Sequence, residues 1–200
     1  MTDRSAVVLA GGFSTRYGET DKTLAEIDGR PMIAHAVRAL RPVVDDIVVS
    51  CRESQLSSFR DALDGVRYRP DETPDQGPLA GLSDALGGVE GDTLALTTAD
   101  MPRVPAALYH ECFDRRRVES SDAVAIVDEG YRRPVPAVFR TAPLRAAVRE
   151  RRAAGDRRLR SVFEGMAVET VPAAEIRENY GERSLIDVNT AHDRVEIDRE

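Results

Sequence analysis

The stretch Leu9 to Lys22, LAGGFSTRYGETDK, concentrates groups that handle a phosphate chain. Gly11, Gly12 and Gly18 let the backbone turn sharply and approach a ligand closely, while Ser14, Thr15, Arg16 and Lys22 bring donors and positive charge around them. Lys22 is the only lysine in the chain, every other long basic side chain being arginine. Sparing one lysine fits a task that needs a compact, mobile ammonium and not a planar fork. Two familiar phosphate loops fail on spacing. A P-loop places its lysine directly after a glycine, whereas Lys22 stands four residues past Gly18; the dinucleotide fingerprint separates its first two glycines, whereas Gly11 and Gly12 are adjacent. Glycine-rich turns after a first strand also occur without any ligand, so this stretch alone leaves that reading open.

Other residues extend the chemistry. Asp100 directly follows an apolar run, a position that suits a ligand for a hydrated cation; the same position suits the N-cap of a helix opening near Pro105. The segment Pro70 to Gly81, PDETPDQGPLAG, offers Asp71 and Gln76 among prolines and glycines and reads either as a second binding loop or as a connector. Arg132, Arg133, Arg157 and Arg158 could be solvated surface, or forks for a phosphate monoester and a flat heteroaromatic ring. Asp187 and Asn189 carry oxygens suited to a hard cation. No His or Cys dyad for acid–base or nucleophilic work is evident, and His35 reads as a packing or outward-facing residue.

Positioning these groups falls to alternating strands and helices. Ala6 to Ala10 reads as a buried strand, Thr23 to Ile27 as a short extended piece, and Asp28-Gly29 as a turn leading to Pro31, the first residue of a helix over 31–41. A strand over Ile47 to Cys51, a helix over Ser54 to Leu63 and a strand over Val66 to Arg69 complete a β-α-β-α-β rhythm. Beyond the Pro70 to Gly81 loop come a helix over Leu79 to Leu86, a central strand over Thr93 to Thr98 and a helix over Ala106 to Arg116. Strands over Ala123 to Val127 and Val135 to Phe139 flank a loop holding Arg132-Arg133-Pro134; a helix over Ala142 to Arg152 follows, and Gly155 to Arg158 leads into another. Val168 to Val171 reads as an edge strand antiparallel to its neighbours, and Leu185 to Thr190 precedes a short helix. The expected fold is α/β: a single three-layer α/β/α Rossmann-like domain over residues 1–200, its sheet mostly parallel and its named loops at one edge.

Composition narrows the function classes. Two hundred residues with 42% apolar content suit one domain with a sizeable core. A net charge of -7 and a pI near 5.1, with arginines interleaved among acids, argue against a nucleic-acid surface and for a small ligand. Cys51 and Cys112 read as two reduced core thiols in a cytosolic setting. No signal-like segment precedes the first strand, and no run approaches the roughly 18 apolar residues of a membrane span. The preference for arginine fits either a GC-rich or a salt-adapted source.

The opening stretch resembles the signature L-A-G-G-x-S-x-R-x-G-x-D-K of molybdenum cofactor guanylyltransferases (MobA-like proteins), with Tyr17 where methionine is usual. GPLAG at 77–81 with Asp71 upstream, TADMP at 98–102, the Arg-Pro strand after Arg133 and the Gly-Asp-Arg-Arg turn at 155–158 resemble further family pieces. Leu185 to Asp193 resembles the terminal N-V-N-T-P-E-E-L element, with Asp187 for its first Asn and Ala191-His192-Asp193 for P-E-E. The resemblance implies a nucleotide site made by Leu9, Ala10, Gly11, Gly12, Lys22, Asp71, Gly77, Pro78, Leu79, Ala80 and Gly81. It implies an acceptor site at Arg133, Arg157, Arg158 and Asn189, a Mg2+ site at Asp100 and Asp187, and catalytic roles for Arg16, Lys22 and Asp100. A carboxylate suits guanine's N1 and N2 donors, and a backbone N–H near a glycine suits its O6. The implied substrates are GTP and molybdopterin in the cytoplasm, with transient contacts to other cofactor-biosynthesis proteins or molybdoenzymes, and with no nucleic acid or membrane as partner. Rival readings are cytidylyl transfer to molybdopterin, guanylyl transfer to cobinamide phosphate or phospholactate, and a nucleotide-binding protein without activity.

Overall fold

The computed structural model describes residues 3–12, 21–72 and 76–198. Its strands are β1 (Arg4–Leu9), β2 (Glu26–Ile27), β3 (Arg30–Pro31), β4 (Asp46–Cys51), β5 (Arg67–Pro70), β6 (Thr93–Thr98), β7 (Ala123–Asp128), β8 (Tyr131–Arg140) and β9 (Val168–Pro172). Its α-helices are α1 (Met32–Leu40), α2 (Leu56–Ala62), α3 (Pro78–Leu86), α4 (Ala106–Glu119), α5 (Thr141–Ala153), α6 (Ala173–Tyr180) and α7 (Ala191–Asp198). Seven strands form one sheet in the order β5-β4-β1-β6-β8-β7-β9, and β2 pairs with β3 alone.

Only β8 runs against the rest of the seven-stranded sheet. The continuous apolar run of β1 explains its place inside the sheet beside the central β6, since Ser5 to Val8 are fully buried between strands and between layers. Helix α3 packs on α5 and α1 on α4, and these two pairs cover the two faces. The edge strand β9 pairs in parallel with β7, which corrects the antiparallel expectation; β8 ends at the starting edge with Arg140 opposite Thr93, α5 carries the chain away from it, and the stretch from the 3-10 turn Leu159–Phe163 to Ala167 brings it back before β9 begins.

Turns and caps obey local chemistry. Asp28-Gly29 and Glu129-Gly130 both have positive φ at their two central residues, the geometry of tight two-residue hairpins. Pro31 closes β3 opposite Glu26 and caps α1 instead of starting it, because the short hairpin takes up its extended backbone. Residues 132–134 lie within β8 and not in a loop, because the Glu129-Gly130 turn is tight enough for pairing to begin at Asp128 and Tyr131. The β7 register then jumps between Ala125, opposite Ala137, and Ile126, opposite Arg133; the jump spans Pro134 and Pro136, which have no N–H to give to a ladder. His35 turns its Nε2 to the Ile27 carbonyl at 2.7 Å, joining α1 to β2.

Candidate active site

Registers place four strand ends side by side. Leu9 stands opposite Ser50 and Thr98, and Cys51 opposite Pro70, so Ala10, Arg52, Asp71 and Ala99 leave the sheet at one edge. Backbone bonds carry the alignment past the strands: Ala10 N–H donates to Ser50, Asp71 N–H to Cys51 and Ala99 N–H to Leu9, at 2.8 to 3.0 Å. A cleft of about 410 Å³ opens there, in the range of small-molecule sites. Leu9, Ala10, Gly11, Gly12, Lys22, Asp71, Gly77, Pro78, Ala80, Gly81 and Asp100 all line it. Arg16, with Ser14, Thr15 and Gly18, lies outside the described residues. Leu79 is fully buried in the core and is not among the lining residues, so any contact it makes with a ligand is through its backbone.

One wall is built around Asp71. A Cβ on Gly11 would lie 2.3 Å from Asp71 Oδ2, and one on Gly81 would lie 2.8 Å from Ser50 Oγ and 3.3 Å from Asp71 Oδ1. Gly11 thus sits in close approach to this carboxylate, and Gly81 in close approach to the Ser50 hydroxyl that holds it. Ser50 donates to Asp71 Oδ1 at 3.0 Å, while burial pushes the carboxyl above its usual range. Gly77, at φ +83°, caps α3 with Pro78 as its first residue, and α3 thus points its N-terminal N–H groups toward the cleft.

Lys22 and Asp100 meet at the other wall. Lys22 Nζ lies 2.7 Å from Asp100 Oδ2 and donates to the Val188 carbonyl and Asn189 Oδ1 at 3.3 Å each. Asp100 is not a helix cap, since α4 begins at Ala106 with Pro105 as its N-cap. Val188 N–H donates to the Asp100 carbonyl at 2.8 Å, which draws the 187–189 segment against the strand end. The Asp187 carboxyl is pushed up by burial and by the charge of Asp100, and Arg133, 2.9 Å away, offsets part of that. The Thr190 hydroxyl accepts from Asp193 N–H, and Asp193 Oδ2 accepts from Thr190 N–H: a capping box that starts α7 despite the absence of the P-E-E residues.

The other arginines separate. Arg133 joins Asp187 and Asp128 and so borders the Lys22–Asp100 wall. Arg157 lies against the opposite wall: its Nη2 reaches Gln76 Oε1 at 3.4 Å, and a Cβ on Gly77 would meet its Cβ at 3.1 Å. Arg158 folds back on Asp156 through Nε and Nη2, with 62% of its side chain exposed. Sequence reasoning missed Ser50, Thr98 and Ala99 as lining residues, for which the small or hydroxyl residue at the end of an apolar strand was the available signal, and Thr23, in the 3-10 turn beside Lys22.

Among the described residues no three carboxylate, His or Cys side chains gather into a metal cage. Asp100, Asp187 and the Asn189 amide form a smaller set of hard oxygens, enough for a cation that keeps water and shares a substrate's phosphates. The described lining includes no histidine or cysteine; what it offers is cationic and hydrogen-bonding groups for phosphates and a carboxylate for a base. With the strand-end location, that defines a nucleotidyltransferase. Residues 6–172 match the MobA-like NTP transferase domain, and the chain belongs to that family. Nucleotidyl transfer in this family goes with a divalent metal ion.

The probable molybdenum cofactor guanylyltransferase of Natronomonas pharaonis is 34% identical over 195 residues, 96% of each chain. That of Haloferax mediterranei is 33% identical over 194 residues, 96% of this chain and 91% of its own. Molybdopterin-guanine dinucleotide biosynthesis protein A from Archaeoglobus fulgidus shares the fold, with a TM-score of 0.79 at 21% identity over 98% of this chain and 96% of that one.

Proposed function

We propose that the protein transfers GMP from GTP to the phosphate of molybdopterin, releasing pyrophosphate and forming the guanine dinucleotide cofactor, and that it acts as one domain in the cytoplasm. The observation that supports the guanine assignment is the Asp71 carboxylate, which lines the cleft between Gly11 and Gly81 and would accept from the N1 and N2 donors of the base. The relatives' names point the same way.

An oxygen of the acceptor phosphate bonds to the α-phosphorus of GTP, and the bond to the bridging oxygen toward the β-phosphate breaks. The acceptor phosphate carries about -1.5 to -2 charge at neutral pH and needs no general base. Lys22, held beside Asp100, would neutralise charge on the departing pyrophosphate. Asp100, with Asp187 or Asn189, would hold Mg2+, which supplies Lewis-acid neutralisation of phosphate oxygens when bound. The pairing of Arg133 with Asp187 supports a role for it toward the acceptor, whereas the position of Arg157 beside Gln76 supports a role at the nucleotide wall.

Calorimetry with GTP, ATP, CTP and UTP in Mg2+ tests the nucleotide, and pyrophosphate release dependent on molybdopterin tests the acceptor. Preferential GTP binding and acceptor-dependent release are expected. Equal affinities or a preference for CTP would overturn the guanine assignment.

A further inference from the structure

Gln55 ends the short 3-10 turn Glu53–Gln55 after β4 and is 4% exposed. Its Oε1 accepts from the Arg52 backbone N–H at 2.7 Å. Its Nε2 donates to the Ala10 carbonyl at 3.1 Å and to Asp21 Oδ2 at 2.5 Å. The same Asp21 oxygen receives Arg52 Nη2 at 3.1 Å, while Oδ1 receives the Thr23 backbone N–H and hydroxyl at 3.0 and 2.7 Å. Ala10 is where the chain leaves β1, and Asp21 immediately precedes Lys22. A single buried amide therefore ties the strand end to the residue that sets where Lys22 begins.

We propose that Gln55 is a positioning residue for nucleotidyl transfer, holding Asp21 to the end of β1 and thereby fixing Lys22 at Asp100. The task needs two donors and one acceptor on one planar group, which an amide supplies and a carboxylate does not. Glutamate would set lone pairs against the Ala10 carbonyl and the Asp21 carboxylate, and an apolar replacement would leave the buried Ala10 carbonyl and two half-buried groups without this partner. Asp21 already accepts from Gln55, Arg52 and Thr23, so its oxygens are committed to the turn and not to a cation. Holding Lys22 in place before the substrate arrives removes an ordering cost from binding and keeps the ammonium at its working distance.

The affinity part of the test rests on the nucleotide reading of the cleft, and the exchange part does not. Gln55→Met, Gln55→Glu and Arg52→Gln are compared with the wild type by amide hydrogen exchange without ligand, by GTP calorimetry and by steady-state kinetics. In Gln55→Met, exchange at Thr23, Leu24 and Ala25 should accelerate roughly tenfold while β1 and β6 keep wild-type protection, and GTP affinity should fall roughly tenfold. The acceptor's Michaelis constant should change less than twofold by estimate, because Gln55 acts through Lys22. A Lys22→Ala, Gln55→Met double variant should lose little affinity beyond Lys22→Ala alone, the non-additivity expected of a residue acting through another. Arg52→Gln should move the same readouts by less, and it keeps the test open should Gln55→Met fail to fold. Wild-type exchange at residues 23–25 in a folded Gln55 variant, fully additive losses in the double variant, or no change in Arg52→Gln would overturn the proposal. Absence of GTP binding by the wild type would overturn the functional reading alone, with the exchange result still deciding the role of Gln55.

Discussion

On the proposed mechanism Lys22 and Asp100 would act at different points of the transfer. Asp100→Ala should depress turnover at saturating substrates by a hundredfold or more by estimate, because its role is greatest as charge develops on the transferring phosphorus. Lys22→Ala should weaken both GTP binding and turnover, and Lys22→Arg should restore only part of either, since a planar fork does not reproduce a point charge at 2.7 Å from Asp100. Initial-rate kinetics of the three variants check this, and near-normal turnover by Asp100→Ala would remove its metal role. On the proposed reading Asp71 would trade stability for recognition. Burial raises its folded pKa above the unfolded value, so the folded protein bears the cost of an ionised buried carboxylate above that raised pKa and none below the ordinary carboxylate range. Asp71→Asn should therefore raise the melting temperature at pH 7, with the gain vanishing as pH falls below about 4, while GTP loses its advantage over ATP. Thermal melts across pH, paired with nucleotide competition, measure both halves.

At the scale of elements, the sheet edge does the positioning, and much of it was legible. The apolar run of β1 followed by paired glycines, and Asp100 after TLALTT, gave the right strand ends because buried parallel strands announce themselves by continuous hydrophobicity. Arg133 was misplaced into a loop because two prolines mimic a break, and only the cross-strand register shows that the ladder steps over them. Gln55 and Ser50 passed unnoticed because a polar residue near a strand end carries no mark of its partner; Ala10, Asp21 and Asp71 are distant in sequence. Gly81→Ala tests the close approach at α3. Its Cβ would come within 3.0 Å of the Ser50 hydroxyl and push on Asp71, and discrimination of GTP from ATP should fall roughly tenfold while the helix itself gains propensity. Unchanged discrimination would show that the wall tolerates the extra methyl. Arg158→Ala, by contrast, removes an exposed pair with Asp156 and should leave GTP affinity within twofold by estimate.

The whole molecule should respond to its nucleotide as one stability unit. A ligand at about 100 times its dissociation constant adds roughly 2.7 kcal/mol, or about 5–10 °C in melting temperature for a chain of this size. GTP with Mg2+ is expected to give such a shift and CTP a smaller one, measured by scanning calorimetry. The large apolar cluster that spans β1, β4, β6, β7 and β8 links the cleft to both sides of the sheet, whereas Ile27, Met32, Val188 and Ile197 form a separate small cluster under the 187–189 segment. Arg103 secures that corner through Asp28 and the Ile197 carbonyl.

The bond from Lys22 to Asn189 spans 167 residues, and that from Lys22 to Asp100 spans 78. On the ribosome the glycine turn, the Asp71 wall and Asp100 all emerge before the segment bearing Asp187 and Asn189 is made. The wall bearing Val188 and Asn189 is thus made well after the strands that it completes.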